Sequence, residues 1–454
     1  MTKKYQQSES YIARESEALG DVQKIRFFPF VGAEGKGVRL CDLDGNEYLD
    51  FTASGGVIAA GYGHPRIREA IIAELDHSRA NMHCILPHPL VVELGERLVA
   101  RMPGDFPKKA WFGATGSDAN DCLAKLVPPA AGRRRMICYV GGYHGSTLGS
   151  AAITGHKAHA KVISGGNVTK VPYPYCYRCL LGYDDPETCS LQCLKFLEDY
   201  ALSAVSPADD TAAIIMEVIQ SDGGEIVPPP NYIPALRELC DKYGIWLLFD
   251  EIKTGLGRTG KYFAFEHYDI SADGISLAKP LGGGLPLSAV LARQEILDQS
   301  IFNLYGLGGA PVPCAAALAT LQVIEEEGLT DNAAAMGDRL LEGLKAFQRR
   351  HHLIGDVRGK GLMVGVELVS DRATKEPATQ DTARVIYRCF ELGLLMVYTG
   401  ALGNVIEITP PLVINEQELD EGLSIFDQAL SDVEAGRFDD QKLAPYSGGG
   451  DLGW

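Results

Sequence analysis

The sequence predicts an α/β protein with a large domain on a mainly parallel sheet and a smaller α+β domain towards its C-terminal end. Three observations lead there. Short apolar runs bounded by turn residues, such as AAIIMEV (212–218) and GIWLLFD (244–250), read as strands buried on both faces. Segments with helical spacing of apolar residues lie between several of these runs, as in IPALRELCDKYG (233–244), and such alternation builds parallel sheets. Finally, 454 residues exceed what one hydrophobic core organises, so two or more domains are expected.

Taken in order, the chain opens with a polar stretch and then a hairpin. VRLCDL and EYLDF are β-prone, and Asp44-Gly45 between them supplies the turn. PRIREAIIAELDHS and HPLVVELGERLVARM carry apolar residues at helical spacing. The buried strands MICYV (136–140), AAIIMEV, GIWLLFD and ADGISLA (272–278) follow. Near residue 330 the character changes. TDNAAAMGDRLLEGLKAFQRRH reads as an amphipathic helix, GLMVGVELV as a strand, TARVIYRCFELG as a helix and VIEITPPLVI as a strand. EQELDEGLSIFDQALSDVEAG closes the domain as a helix, and the tail SGGGDLGW is turn-rich and extended.

Composition narrows the function. Lys+Arg 42 against Asp+Glu 59 leaves a net charge of −17, which argues against nucleic acid or an anionic membrane as partner. An apolar fraction of 46% supports a large core and argues against disorder. No signal-peptide core and no transmembrane run is present, so the expectation is a soluble cytoplasmic protein. Of the 11 cysteines, four cluster as CxxC and CxxxC: Cys176, Cys179, Cys189 and Cys193. The spacing could suit zinc or an iron–sulfur cluster, but it lacks the fuller zinc-ribbon pattern, and reduced packing thiols are the default.

In open α/β sheets, ligands sit beyond the carboxyl ends of the strands, so the polar residues there carry the chemistry. ADGISLAK places Lys279 after a strand and before PLGGGLP, where a partly desolvated amine can form an imine with an aldehyde. A surface lysine is the plain alternative. GIWLLFDE places Asp250 among apolar strands, where a carboxylate needs a cationic partner, such as a protonated pyridine nitrogen, or a structural ion pair. Thr115, Gly116 and Ser117 open a helix running from Asp118, whose N-terminus suits a phosphate or a simple cap. Tyr143 and His144 lie in a glycine-rich turn after a strand, where an aromatic can stack on a flat ring. Glu217, Gln220 and Asp222 follow another strand in MEVIQSDGG.

The order and spacing of these elements, with Lys279 twenty-nine residues after Asp250, resemble the fold type I pyridoxal-phosphate enzymes. The stretch LLFDEIKTGLGRTGKYFAFEHYDISADGISLAKPLGGGLPLSAVLA resembles the class III aminotransferase signature over its full length, within a similarity spanning roughly residues 25 to 430. The resemblance implies residues 1–65 as an N-terminal segment of the small domain, 66–330 as the cofactor-binding domain and 331–454 as the C-terminal small domain. It implies pyridoxal 5′-phosphate held by Lys279 as a Schiff base, with Asp250 on the pyridine nitrogen. Gly116 and Ser117 would bind the phosphate, Tyr143 would stack on the ring, Ile252 would pack on its other face and Gln220 would approach the ring hydroxyl. His144 and Glu217 complete the cofactor wall. Gly306 stands where the family usually brings a phosphate-binding threonine from the neighbouring subunit, and a homodimer or homotetramer is expected.

The fringe of the site selects the reaction. Many family members carry an arginine before the PPL segment, facing a substrate carboxylate; here NVIEITPPL has Glu407. A glutamate repels a carboxylate and can accept from an amide, lactam or ammonium group, unless it is simply a solvent-facing strand residue. Asp222, opposite Lys279, would supply the second proton carrier that racemisation requires. Both features resemble the α-amino-ε-caprolactam racemase group, which also acts on amino acid amides. VQKIRFFPF, YHGSTLGSAAITGH and the terminal Gly-Trp add to the likeness. Gly55 replaces that group's pocket tryptophan, which implies a different substrate shape. The leading expectation is therefore a racemase of α-amino acid amides or lactams, with Lys279 and Asp222 catalytic and Glu407, Gly55 and Tyr143 at the substrate. An aminotransferase passing an amine to a keto acid such as pyruvate is the alternative. A non-enzymatic metal-cluster scaffold is the third reading.

Overall fold

A computed structural model describes residues 3–159, 167–183, 185, 188–443 and 445–446. The whole SGGGDLGW tail, with the Gly-Trp end that contributed to the likeness, lies outside the described residues. The chain divides into two compact units, residues 65–330 and residues 1–64 with 331–454.

Residues 65–330 are organised by a seven-stranded sheet. Across it run Lys108–Gly113, Ser288–Arg293, Gly274–Leu277, Trp246–Asp250, Thr211–Glu217, Arg135–Tyr139 and Val168–Val171. The last five are parallel, whereas Ser288–Arg293 runs antiparallel to both of its neighbours. Every residue of Thr211–Glu217 is buried, which is why that segment reads as a continuous apolar run rather than an alternating one. Helix Gly116–Ala131 lays Cys122, Leu123, Leu126 and Val127 on a core that includes Met136, Ile153, Ile215, Leu248 and Val290. Each such leucine or valine contributes about 2 kcal/mol by leaving water. Pro128 and Pro129 sit in the helix's last turn, and Gly132 ends it in the left-handed conformation.

Residues 1–64 with 331–454 hold two smaller sheets. Arg39–Asp42 and Glu47–Asp50 form the expected hairpin, with Gly45 at φ +81° in the turn. Asp42 accepts the backbone N–H groups of Asp44 and Asn46 and so locks that turn. Leu394–Leu395 pairs in parallel with Glu47–Asp50, which ties the N-terminal segment to the C-terminal part of the chain. The second sheet orders Ile354–Lys360, Met363–Asp371, Val405–Ile408 and Val397–Thr399, all antiparallel. Val405–Ile408 stops just ahead of Pro410-Pro411, which cannot extend a ladder. Helices Leu329–Arg350, Thr379–Leu392 and Glu416–Glu434 complete the unit.

No described helix is long and apolar enough to cross a membrane. Cys176, Cys179, Cys189 and Cys193 are half-buried free thiols, and among the described residues no group of three or more His, Cys, Asp or Glu is arranged to hold a metal.

Candidate active site

The parallel register brings the acidic strand ends together. Glu217, Asp250 and Ser276 stand side by side at the carboxyl ends of three adjacent strands. Asp250 is 3% exposed, and both of its oxygens accept hydrogen bonds. Oδ2 accepts from His144 Nδ1 at 2.7 Å and Asn120 Nδ2 at 2.7 Å, and Oδ1 accepts the Ile252 N–H at 3.0 Å. Hydrogen bonds to a charged group contribute about 1.5–3 kcal/mol each, which offsets part of the cost of burying the carboxylate. Asn120 also donates to the His144 carbonyl, so one side chain fixes both the aspartate and its histidine. Sequence reasoning missed Asn120. Its signal was its place one helical turn after Gly116, on the same face.

Glu217 is a different kind of acid. Burial, reinforced by the neighbouring Asp250 and Asp222 charges, holds its carboxyl well above the usual range, with Lys279 pulling the other way. Its oxygens accept the N–H of Ser221 at 3.2 Å and of Tyr143 at 3.4 Å. One side chain therefore lies within the fields of both Asp222 and Lys279.

The phosphate candidates sit at a built helix start. Thr115 caps Gly116–Ala131, and the Asp118 side chain reaches back to the N–H groups of Ala114 and Thr115. Gly116 and Ser117 follow at the positive end of this 16-residue helix. A Cβ at Gly116 would stand 2.7 Å from Ile252 Cδ1, so Ile252 would have to shift to admit one. At Gly145, φ +129°, a Cβ would meet Ser117 Oγ at 2.5 Å. Ser117 Oγ accepts the Ser146 N–H, which joins the phosphate turn to the Tyr143–His144 loop. Tyr143 is 37% exposed, with its hydroxyl 2.9 Å from Ser146 Oγ. Gln220 is buried and donates to the Val140 carbonyl at 3.1 Å. Gly306 lies on an exposed turn.

Lys279 lies two residues past the end of Gly274–Leu277, with φ +28°. A non-glycine residue in that region stores about 1–3 kcal/mol, and such strain gathers at functional positions. Gly283 and Gly284, both at positive φ, form the turn behind it.

These residues fit pyridoxal phosphate. A buried carboxylate suits a cationic ring nitrogen, a lysine lies just past the end of the neighbouring strand, and a helix N-terminus with a glycine in its first turn suits an anion. The buried Nε2 of His144 and Oδ1 of Asn120 have no hydrogen-bond partner among the described residues, which is the state expected beside an additional polar group.

Asp222 is half-buried at the tip of a tight turn. Gln220 and Ile226 exchange backbone hydrogen bonds at its base, and the N–H groups of Gly224 and Glu225 both donate to Ser221 O. Burial holds His156 below its usual range, against the pull of the Asp222 carboxylate.

Of the expected substrate residues, Tyr143 lies in this unit, whereas Glu407 and Gly55 belong to the other. Glu407 is 5% exposed, so it is not a solvent-facing strand residue. Thr409 Oγ1 lies 3.1 Å from Glu407 Oε1 and 3.2 Å from Thr52 O. Thr52 leads into Ala53, Ser54, Gly55 and Gly56, four successive residues with φ between +46° and +86°. Left-handed runs of L-residues are rare. Tyr62 and Asp50 brace this one, through Ser54 Oγ–Tyr62 OH at 2.8 Å and Tyr62 OH–Asp50 Oδ2 at 2.8 Å.

Comparison with known proteins decides the family. The class-III aminotransferase model matches residues 21–430. The chain belongs to the class III aminotransferase family. Leucine/methionine racemase of Thermococcus litoralis is 38% identical over 96% of this chain and 98% of its own length. Alanine/serine racemase of Pyrococcus horikoshii is 37% identical over 94% and 91%. Among solved structures, a PLP-bound amine transaminase from an uncultivated Pseudomonas species superposes with a TM-score of 0.81 at 33% identity, covering 88% of this chain and 94% of that one. This class III protein is accordingly an enzyme of fold type I, and both its racemase and its aminotransferase relatives fit the site.

Proposed function

We propose that the chain is a pyridoxal-phosphate-dependent racemase that exchanges the Cα proton of α-amino acid amides or lactams, assembled as a homodimer or homotetramer. What supports this reading is the likeness to amino acid racemases, together with the short turn closed by Gln220 and Ile226 that carries Asp222 just past the strand end of Glu217, beside Asp250. The cofactor, when bound, supplies an electron sink that acidifies Cα–H. Asp250 would hold its ring nitrogen, Gly116 and Ser117 its phosphate, and Tyr143 and Ile252 its two faces. Lys279 is the base that takes the Cα proton on one face. Asp222 delivers a proton to the opposite face, because inversion needs a carrier on each side. Glu407, buried and ionisable, would accept from the amide N–H of the substrate and disfavour a free carboxylate.

Asp222→Asn tests the scheme. It is expected to lower racemisation about 10²–10⁴-fold while cofactor binding stays intact, because the amide keeps the shape and loses the exchangeable proton. Unchanged turnover would end the two-carrier account. The racemases it resembles are named for free amino acids, so leucine, methionine, alanine and serine belong in the substrate panel beside amides and aminocaprolactam. Amino transfer is the second reading, favoured by the likeness to an amine transaminase.

A further inference from the structure

Beneath the Asp222 turn lies a buried ionic cluster that neither the family likeness nor the proposed chemistry assigns. Glu225 is fully buried, 0% exposed, and sits at φ +50°, a conformation that a long L-side chain adopts only when its surroundings impose it. Its Oε1 accepts from Lys253 Nζ at 2.8 Å, and Lys253 is 6% exposed. Lys253 Nζ also donates to Ser221 Oγ at 2.7 Å. The two residues that Lys253 grips, Ser221 and Glu225, are therefore the two ends of the turn that carries Asp222. The turn packs closely on its own base, since a Cβ on Gly223 would stand 2.0 Å from Gln220 Oε1.

The other end of Lys253 is equally placed. It lies three residues after Asp250, and the intervening Ile252 packs against Gly116. The lysine thus joins the segment that carries the ring-holding residues to the turn that carries the second proton carrier. A buried ion pair is a poor source of stability, because desolvation cancels most of its attraction, so its better-attested use is to fix one geometry.

We infer that Lys253, through Glu225 and Ser221, is a positioning residue that sets where Asp222 meets Cα, and thereby whether proton return occurs on one face or both. This rests on the racemase reading. In the intact cluster, Asp222 gives its proton to Cα on the face opposite the one from which Lys279 took one, and each carrier then re-equilibrates with water. Loosening the turn leaves the Lys279 face working and starves the other.

The test uses purified holoenzyme in D₂O with each enantiomer of a substrate amide. Lys253→Met is expected to lower racemisation kcat about 10- to 100-fold, since a shift of about 1 Å at a reacting group has that scale of effect. KM, cofactor affinity and the circular dichroism of the bound cofactor stay within about threefold of the parent, and so does deuterium uptake with retention into the enantiomer whose Cα–H faces Lys279. Uptake into the opposite enantiomer falls in step with racemisation. The double variant Lys253→Gln/Glu225→Gln restores a neutral hydrogen-bonded pair and is expected to recover part of the loss, while also guarding against a single variant that fails to fold. Unchanged racemisation in folded Lys253→Met, or equal loss of deuterium uptake on both faces, would overturn the inference. The two levels separate cleanly. If Asp222→Asn abolishes racemisation and Lys253→Met does not, only the positioning role fails; if the parent racemises nothing, the racemase reading fails and this inference with it.

Discussion

The strand-end cluster of residues 65–330 and the fringe carrying Glu407 and Gly55 are built on opposite principles. Around Asp250 the carboxylates are held by a hydrogen-bond network: His144 and Asn120 share one carboxylate oxygen, Ile252 N–H takes the other, and Glu217 gathers the N–H groups of Ser221 and Tyr143. The fringe instead combines a buried glutamate with a left-handed turn that ends in two glycines. The first region is preorganised for a cofactor shared by a whole family. Under the proposed function the second selects the substrate, and a changed side chain at Gly55 or Glu407 would alter what is accepted while the contacts around Asp250 stay as they are. The contrast teaches that, under this proposal, chemistry and selectivity rest on separate parts of the chain.

Substitutions can break that separation or sharpen it. The largest effect belongs to Lys279→Ala, expected to remove turnover by about four orders of magnitude or more, with the absorbance band of lysine-bound cofactor lost in the same spectrum. A folded variant that keeps the band would show that another amine holds the cofactor. Next comes Glu251, behind Asp250. Burial raises its carboxyl from 4.5 to about 7, although Thr254 and the backbone of Phe265 hydrogen-bond to it. A folded-state pKa above the unfolded value means that the native state binds the extra proton. Stability should therefore fall as pH rises from 4.5 to about 7, and level off above. The upper bound is about 3 kcal/mol, and Glu251→Gln should flatten the profile. Denaturant titrations of both proteins across that window check it; parallel profiles would contradict the assignment. Smallest, and confined to the fringe, is Glu407→Gln. It should shift the preference for amide over free amino acid by about tenfold through KM, with cofactor binding untouched. A change in cofactor affinity instead would merge the two regions.

Much of the cofactor side was legible in the sequence, because strand ends declare themselves. Asp250 and Lys279 stand where apolar runs stop, and the helix opened by Thr115 has its cap written in Thr-x-x-Asp. Other features were hidden for physical reasons. Lys108–Gly113 starts with two lysines and belongs to the edge of the sheet, so it lacks the apolar run of a central strand. The direction of Ser288–Arg293 depends on the connection rather than on composition. Asn120 and Lys253 look like ordinary helix and loop polar residues until the fold brings Asp250 and Glu225 to them. The left-handed conformation of Ala53 and Ser54 contradicts local preference, and only tertiary bracing by Asp50 and Tyr62 explains it.

The central claim is proton exchange on both faces of Cα. The most direct measurement is a keto-acid-free assay of purified holoenzyme with single enantiomers of amino acid amides, aminocaprolactam and free amino acids, followed by chiral chromatography. The account predicts conversion of one enantiomer towards an even mixture while the spectrum of the lysine-bound cofactor persists. A single-turnover shift to the pyridoxamine form, reversed by pyruvate or 2-oxoglutarate and without inversion at Cα, would contradict it and make the enzyme an aminotransferase.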